Sequence, residues 1–452
     1  MKTLADFEPL KPAEQKLLEC CQSGEVAVIG EKRPIEKTEV NEIRAAFLRW
    51  LILFSKIEID PKGIEIKGAW VSGEFNLENS ECSYTLKCLN SVFDKQVWFV
   101  FAITKSIDMN GSLLMKGMRA DGLICKGNVS FREGFKSEDE VRFLGAHIEG
   151  SLKCKNATFQ VLEEIKKPLN IRRIRITESL FLEKCEVSNG ILDLTNANIG
   201  VLTDDKEFWE QKTFKVYLDG FCYEHIYKNT SASFRLQNML AKMLKFEPQP
   251  YKQLAKVLRD MGHDRDADEV MIALHDKKLE LSNESWWYKV FRKIYKWTSE
   301  YGYRPMRTLK IMASIWLLFG CIYWYGANVA VFVPTNPLIF QKQEYNCTID
   351  KNGTKWFASP KDYNASNNWY EASPPEYTTF QPFWYSLDII LPVVDLKMEN
   401  DWGVVIPSPD RSFFKIFNYF IRFLTWFETL AGWGLSLILV AILSGLAKNE
   451  KE

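Results

Sequence analysis

The sequence predicts a multi-domain membrane protein: an N-terminal β-solenoid with a helical cap, a helical-hairpin linker, and a C-terminal two-helix transmembrane domain with a re-entrant loop. Three observations predict it. Short alternating apolar pairs recur about every eleven residues through the first half of the chain. Only two segments, both in the last third, are apolar enough to cross a bilayer. Between them, residues 380–402 read as a short helix followed by extended chain.

Composition sets outer limits. A chain of 452 residues is long enough for two or three domains, and 46% hydrophobic with 14% aromatic content is high for a soluble protein that is also 26% charged. Lysine plus arginine and aspartate plus glutamate number 58 each, so zero net charge leaves no electrostatic footprint for nucleic acid. The opening MKTLADFEPLKPAEQ is polar and lacks a signal-peptide pattern, so a cytoplasmic N-terminus is expected. Ten cysteines without CxxC spacing and four scattered histidines predict no metal site. No cofactor-binding motif or nucleophile constellation is present in the sequence, so neither a cofactor nor an enzyme is expected. Adjacent Cys20 and Cys21 are the one pair open to a reactive-thiol reading.

Residues 1–60 read as the helical cap. Residues 12–21 carry apolar positions at helical spacing, and 41–54 form a second, very apolar helix starting at a good capping residue, Asn41. Residues 61–226 carry the pairs: Phe75/Leu77, Leu86/Cys88, Val97/Phe99, Ile107/Met109, Leu123/Cys125, Val129/Phe131, Val141/Phe143, Leu152/Cys154, Leu180/Leu182 and Leu192/Leu194. An inward pair on a very short strand, then a turn, is what stacked solenoid coils need to bury a continuous apolar column. Gly73, Gly127, Gly150 and Gly190 each sit two residues before such a pair, where a tight corner would require positive φ. A conventional antiparallel sandwich is the alternative. Ala146-His147-Ile148 and Ala197-Asn198-Ile199 come closest to a pentapeptide pattern, and the region resembles the pentapeptide-repeat and bactofilin-like β-helices. That resemblance implies a scaffold or docking surface.

Residues 227–283 turn helical, with the segments 233–246, 250–262 and 264–281 forming the helical hairpin. The acids Asp264, Asp266, Asp268 and Glu269 lack the glycine and terminal glutamate of a calcium loop, so capping and a solvated face account for them. Residues 284–303 interleave Trp286, Trp287, Tyr288, Phe291, Tyr295 and Trp297 with Lys289, Arg292, Lys293 and Lys296. This mixture favours the headgroup layer, so an interfacial amphipathic helix on the inner membrane face is expected. An ordinary amphipathic helix packed on the solenoid is the alternative.

Residues 304–452 hold two expected spans, about 309–332 and 423–446. Basic residues before the first, including Arg304, Arg307 and Lys310, place both termini in the cytoplasm; the inner membrane of a bacterial cell is what the chain's resemblance to a group of bacterial membrane proteins with a pentapeptide-like region and an ion-channel-like C-terminus implies. The loop after the first span is then external; it holds Cys347 and acceptor-like triplets at Asn346, Asn352 and Asn364. In residues 380–402, a helix beginning at Pro382 ends at Pro392, whose ring disfavours helical geometry in the residue before it. Extended backbone at membrane depth is tolerated only where protein or water covers it.

The order span, short helix and loop, span is similar to that of two-span pore-loop channels, of which potassium channels are the familiar members. Trp384-Tyr385-Ser386-Leu387-Asp388 resembles their pore-helix run, and Asp395-Leu396 resembles the end of their filter. The resemblance implies a transmembrane pore domain in a homo-oligomer, a tetramer, conducting ions with cations favoured. Leu391-Pro392-Val393-Val394 replaces the glycine-containing filter, so potassium selectivity does not carry over. The expected site is therefore a filter of Leu391, Pro392, Val393, Val394 and Asp395, with Glu399 and Asp401 as outer vestibule charges. Asp388 reads equally as an ion contact or as a brace behind the filter. The intramembrane acid Glu428 must face protein or water, reading either as hydrogen-bonded to a tryptophan or tyrosine of the short helix or as part of a permeation path. A gate or hinge falls to Gly432, Gly434, Leu439, Ile442 and Leu446. A membrane-anchored scaffold with a non-conducting hairpin is the competing function.

Overall fold

The computed structural model describes residues 3–55, 57–161, 167–188, 190–228, 231–328, 331–336, 377–392, 394–404 and 412–444. They fall into two compact units, Met1–Asp276 and Lys277–Glu452, taken here separately.

The first unit is a β-solenoid. Most of its strands are two to four residues long, the longest being Glu81–Leu89, and among the described residues they pair only in parallel, which excludes the antiparallel sandwich. Every residue of the ten predicted pairs is buried. Register gives each coil four inward columns. One runs Phe75, Val97, Met118, Val141, Leu169, and another Val71, Phe93, Leu114, Ser137, Phe159. Two more share the largest sheet, one placing Cys82 over Thr104 and the other running Ile64, Leu86, Ile107. Stacked neighbours lie farther apart than the spacing of pairs suggests. Val97, Met118 and Val141 lie over one another at steps of 21 and 23 residues (118 − 97, 141 − 118), so the eleven-residue recurrence is half a coil.

The corners use two different physical devices. One corner places Asn79, Phe101, Gly122, Gly145, Arg173, Asn196 and Gly220 in left-handed geometry, coil after coil. Gly73 has the positive φ expected of it, at +88°. Gly127 and Gly150 do not. A Cβ on Gly127 would lie 2.8 Å from the Lys105 carbonyl oxygen, and one on Gly150 2.8 Å from the backbone of Gly127. These two are glycine because adjacent coils approach too closely for a side chain. Gly190 lies within the strand Gly190–Asp193.

Helices Pro12–Ser23 and Ala45–Leu53 close the first end of the solenoid. The second starts later than expected because Glu42–Arg44 pairs as a strand with Trp70–Ser72. Arg44 grips the buried Glu14 with two nitrogens, at 2.8 and 2.6 Å, tying cap to coil. At the far end, Gln249 and Gln253 on helix Gln249–Asp260 donate to the Phe221 and Tyr223 carbonyls at 3.3 and 2.7 Å. These side chains occupy backbone acceptors that an open strand edge would offer to another chain.

The stretch expected as one helix over 233–246 is instead three short turns, Ala232–Phe234, Arg235–Met239 and Leu240–Lys242. Within them, Arg235 is fully buried and makes a two-pronged pair with the equally buried Asp204, at 2.6 and 2.9 Å. Trp209 Nε1 donates to the same carboxylate at 2.6 Å. Of the acidic cluster, Asp266 accepts from the Ala232 amide at 2.8 Å and Asp268 pairs with Arg259 at 3.5 Å. No group of three metal-ligating side chains occurs among the described residues. Burial pushes the thiols of Cys20 and Cys21 above their ordinary values, which leaves both weak nucleophiles at neutral pH.

The second unit contains helices Trp286–Ser299, Pro305–Asn328, Pro382–Ile390 and Ser412–Leu443, with one turn of helix at Met398–Asp401. Pro305–Asn328 and Ile416–Leu443 are long and apolar enough to cross a membrane, at mean hydropathies of 1.3 and 1.7. Only 28% and 22% of their most apolar windows are buried, so neither is the enclosed core helix of a soluble domain. The first ends four residues before the expected limit, and Phe332–Pro334 pairs antiparallel with Trp402–Val404 instead.

The Asp204–Arg235 pair gives a stability test. Truncating Arg235 to alanine leaves a carboxylate buried without its cation, which costs about 3–5 kcal/mol. Full-length Arg235→Ala is therefore expected to lose its β-sheet circular dichroism at clearly lower denaturant than the parent. Replacing the exposed Lys245, a surface ion-pair partner of Glu247, is expected to shift the midpoint hardly at all.

Candidate functional site

The short helix Pro382–Ile390 lies against both long helices, and local chemistry sets its length. Proline occupies its first turn, where the missing N–H costs nothing, and Leu391, preceding Pro392, leaves the helix at φ −107°, ψ 76°. Its Trp316-facing end is fixed by an indole hydrogen bond, Trp316 Nε1 to the Phe383 carbonyl at 2.8 Å. Gly320 makes room for Phe383, since a Cβ there would lie 2.4 Å from the ring.

Glu428, on the second long helix, is fully buried and joins three helices through one carboxylate. Tyr323 Oη, from the first long helix, donates to Oε2 at 2.6 Å. Ser386 Oγ, from the short helix, donates to Oε1 at 2.5 Å and also lies 3.1 Å from the Trp316 carbonyl oxygen. A carboxylate placed in so apolar a helix must be paired with donors. Aromatic rings close around this junction: Tyr323 meets Tyr385 edge-on at 5.3 Å, Phe332 stacks on Phe380 at 4.5 Å, and Phe380 contacts Trp402 at 5.2 Å.

Asp388 is a brace. It is buried, and its two oxygens accept from the Leu396 and Glu399 amides at 2.7 and 2.9 Å. It thereby turns the chain after the short helix back on itself and fixes the start of Met398–Asp401. Asp395 is exposed, accepting from the Lys397 amide at 2.8 Å, with Lys397 left-handed at φ +63°. Glu399 is exposed beside them, and partial burial with the neighbouring Asp388 and Asp395 carboxylates pushes its pKa up. Asp401 is held to the wall: its carboxylate accepts from Thr378 Oγ1 at 2.5 Å, and its carbonyl accepts from Tyr377 Oη and from the Thr335 amide at 2.9 Å.

No known protein family, curated protein or solved structure matches this chain. The reading of the site therefore rests on its own geometry.

The residues singled out from sequence fall into three groups. Tyr385, Ser386 and Glu428 converge, buried, on one junction, and Asp388 is buried at the loop that follows, whereas Trp384 is exposed on its helix. Leu391, Pro392, Val394 and Asp395 follow that helix, with Val394 47% exposed; Val393 and Leu446 lie outside the described residues, as do Cys347 and the three asparagine triplets. Gly432 is a contact residue: a Cβ would lie 2.7 Å from the Ile390 carbonyl oxygen and 2.9 Å from its Cα. The helix end and the long helix meet there backbone to backbone. Gly434 faces open space, while Leu439 packs towards Met312, Ile390 and Leu435, and Ile442 is buried. Tyr323, Trp316 and Thr378 hold Glu428, the short helix and Asp401 through contacts that the sequence does not signal. A tyrosine 105 residues from its acid leaves no local signature.

The two glycines on one helix give an internal comparison. Gly432→Ala is expected to lower the melting temperature of the detergent-solubilised protein, since forcing a methyl against backbone costs about 1–3 kcal/mol. Gly434→Ala is expected to be neutral or stabilising by up to about 1 kcal/mol, because alanine favours the helix and meets nothing.

Proposed function

We propose that the second unit is one subunit of a homotetrameric, cation-conducting pore in the cell's inner membrane, and that the solenoid unit serves its assembly or regulation. The observation that carries this reading is the rigid short helix and loop between two bilayer-length helices, held by Glu428 and Asp388. A membrane tether needs only the two long helices; such bracing is what a fixed constriction needs.

In this reading the loop Leu391–Asp395 forms the narrowest part. The carbonyl end of the short helix, negative by its dipole, favours a cation there. Asp395 and Glu399 are exposed carboxylates at the outer mouth, and four copies would form a ring that concentrates cations. The loop has no glycine-lined series of carbonyls, so discrimination among cations by carbonyl rings is not expected. Because Gly432 is occupied by its contact with Ile390, a gating bend falls to Gly434, swinging the inner segment that carries Leu439 and Ile442.

Planar-bilayer recording of the purified full-length protein tests the proposal. Asp395→Asn is expected to reduce cation conductance severalfold at low salt, with less effect at high salt where screening replaces the lost charge. Glu399 takes up its proton at higher pH than an ordinary glutamate, near 4.3, so conductance should begin to fall above that value on acidification. Glu399→Gln should remove that early fall. Absence of any single-channel current across pH, calcium and voltage sinks the channel reading.

A further inference from the structure

Helix Trp286–Ser299 carries an apolar face that nothing among the described residues covers. Trp286, Trp287, Phe291, Ile294 and Trp297 are 64%, 73%, 70%, 52% and 60% exposed. At about 100° per residue these five and Val290 fall within an arc of about 140°. Lys289, Arg292, Lys293 and Lys296 fall outside it in a second arc of about 100°, with Lys293 bordering the apolar arc about 20° from Trp286. So many exposed large apolar side chains on one arc are not those of an ordinary solvated helix, whose exposed face would be polar.

The helix is also held at a fixed angle to the first bilayer-length helix. Only residues 300–304 separate them. Glu300, Tyr301 and Gly302 turn the chain with φ of +48°, +59° and +89°. The turn is tied by hydrogen bonds from the Gly302 amide to Ser299 Oγ and from Thr308 Oγ1 to the Thr298 carbonyl, both at 3.1 Å. Tyr301, Ser299 and Thr308 are buried, so this elbow is packed rather than a loose hinge. Arg292 lies over the Tyr301 ring at 4.9 Å, and Glu300 pairs with Arg304 at 2.8 Å and with Arg307. Residues 286–310 nevertheless contain seven basic side chains and one acidic one.

We propose that this helix lies in the headgroup layer of a bilayer leaflet containing anionic lipid, with its tryptophan face in the acyl boundary and its cations on the lipid phosphates. Three features of the helix select this occupant over a protein partner: the charge complementarity of the cationic arc, the tryptophan-rich face suited to the interface, and the rigid continuity with a bilayer-length helix. The assignment is independent of conduction, because the anchoring works equally for a channel or a tether.

Spin labels on the full-length chain in nanodiscs test it, with Cys20, Cys222, Cys321 and Cys347 replaced by serine. At Phe291→Cys the label should be severalfold more accessible to oxygen than to aqueous nickel chelate, and at Lys293→Cys the order should reverse. A label at position 291 open to the nickel chelate overturns the proposal, because the helix then lies in water. A label closed to both reagents also overturns it, because protein then covers the face. In the same discs, spin-labelled phosphatidylglycerol should be enriched severalfold over phosphatidylcholine in the immobilised shell. The quadruple change of Lys289, Arg292, Lys293 and Lys296 to glutamine should abolish that enrichment while leaving position 291 lipid-exposed. Equal retention of both lipids by the parent protein overturns the anionic assignment.

Discussion

Four carboxylates removed from water, on Glu14, Asp204, Asp388 and Glu428, fasten the irregular parts of this protein to its regular ones. Each must be matched by donors, because burying an acid without them costs several kcal/mol. Glu14 holds the helical cap through Arg44, and Asp204 draws Arg235 into the far end of the solenoid. Asp388 folds the loop after the short helix, and Glu428 binds three helices together. The apolar columns provide most of the driving force for folding, but they are non-directional. The carboxylates set where the non-repeating elements dock.

The solenoid illustrates how little such a scaffold needs locally. Inward pairs on two-residue strands suffice because each coil uses its neighbours to bury its face and to satisfy its backbone. The cost falls at the corners and the ends. Corners demand left-handed residues such as Asn79 and Asn196, or glycines where coils touch, as at Gly127. At the far end, helix Gln249–Asp260 covers the edge, and its glutamines take up free carbonyls. A solenoid finished in this way is suited to remaining a discrete body.

The membrane unit combines rigid and permissive elements along one helix. Gly432 is pressed to the short helix, whereas Gly434, two residues further on, meets nothing. Before this point Glu428 and the aromatic junction hold the short helix in place; beyond it Leu435 and Leu439 pack with Met312 and Ile390. At the other end of the unit, the packed elbow at Ser299–Thr308 couples an amphipathic helix to the first long helix. The two helices are thereby joined without a flexible link.

Much of the architecture is legible in the sequence because it rests on local periodicity. Alternating pairs give the inward columns, two long apolar runs give the bilayer-length helices, and Pro382 with Pro392 delimits the short helix. The four-column coil was not legible, since pairs on different faces look alike in sequence and their spacing shows half the true repeat. Nor was the work of particular side chains. Glu428 reads as a costly acid, but only folding supplies Tyr323 and Ser386, 105 and 42 residues away. Gly127 and Gly73 look equivalent, yet one answers a backbone approach and the other a backbone angle. The sequence by itself determined which residues must leave water and how often the chain must turn. Tertiary structure alone decided which donors meet each buried acid, because hydrogen-bond partners distant along the chain leave no periodic trace.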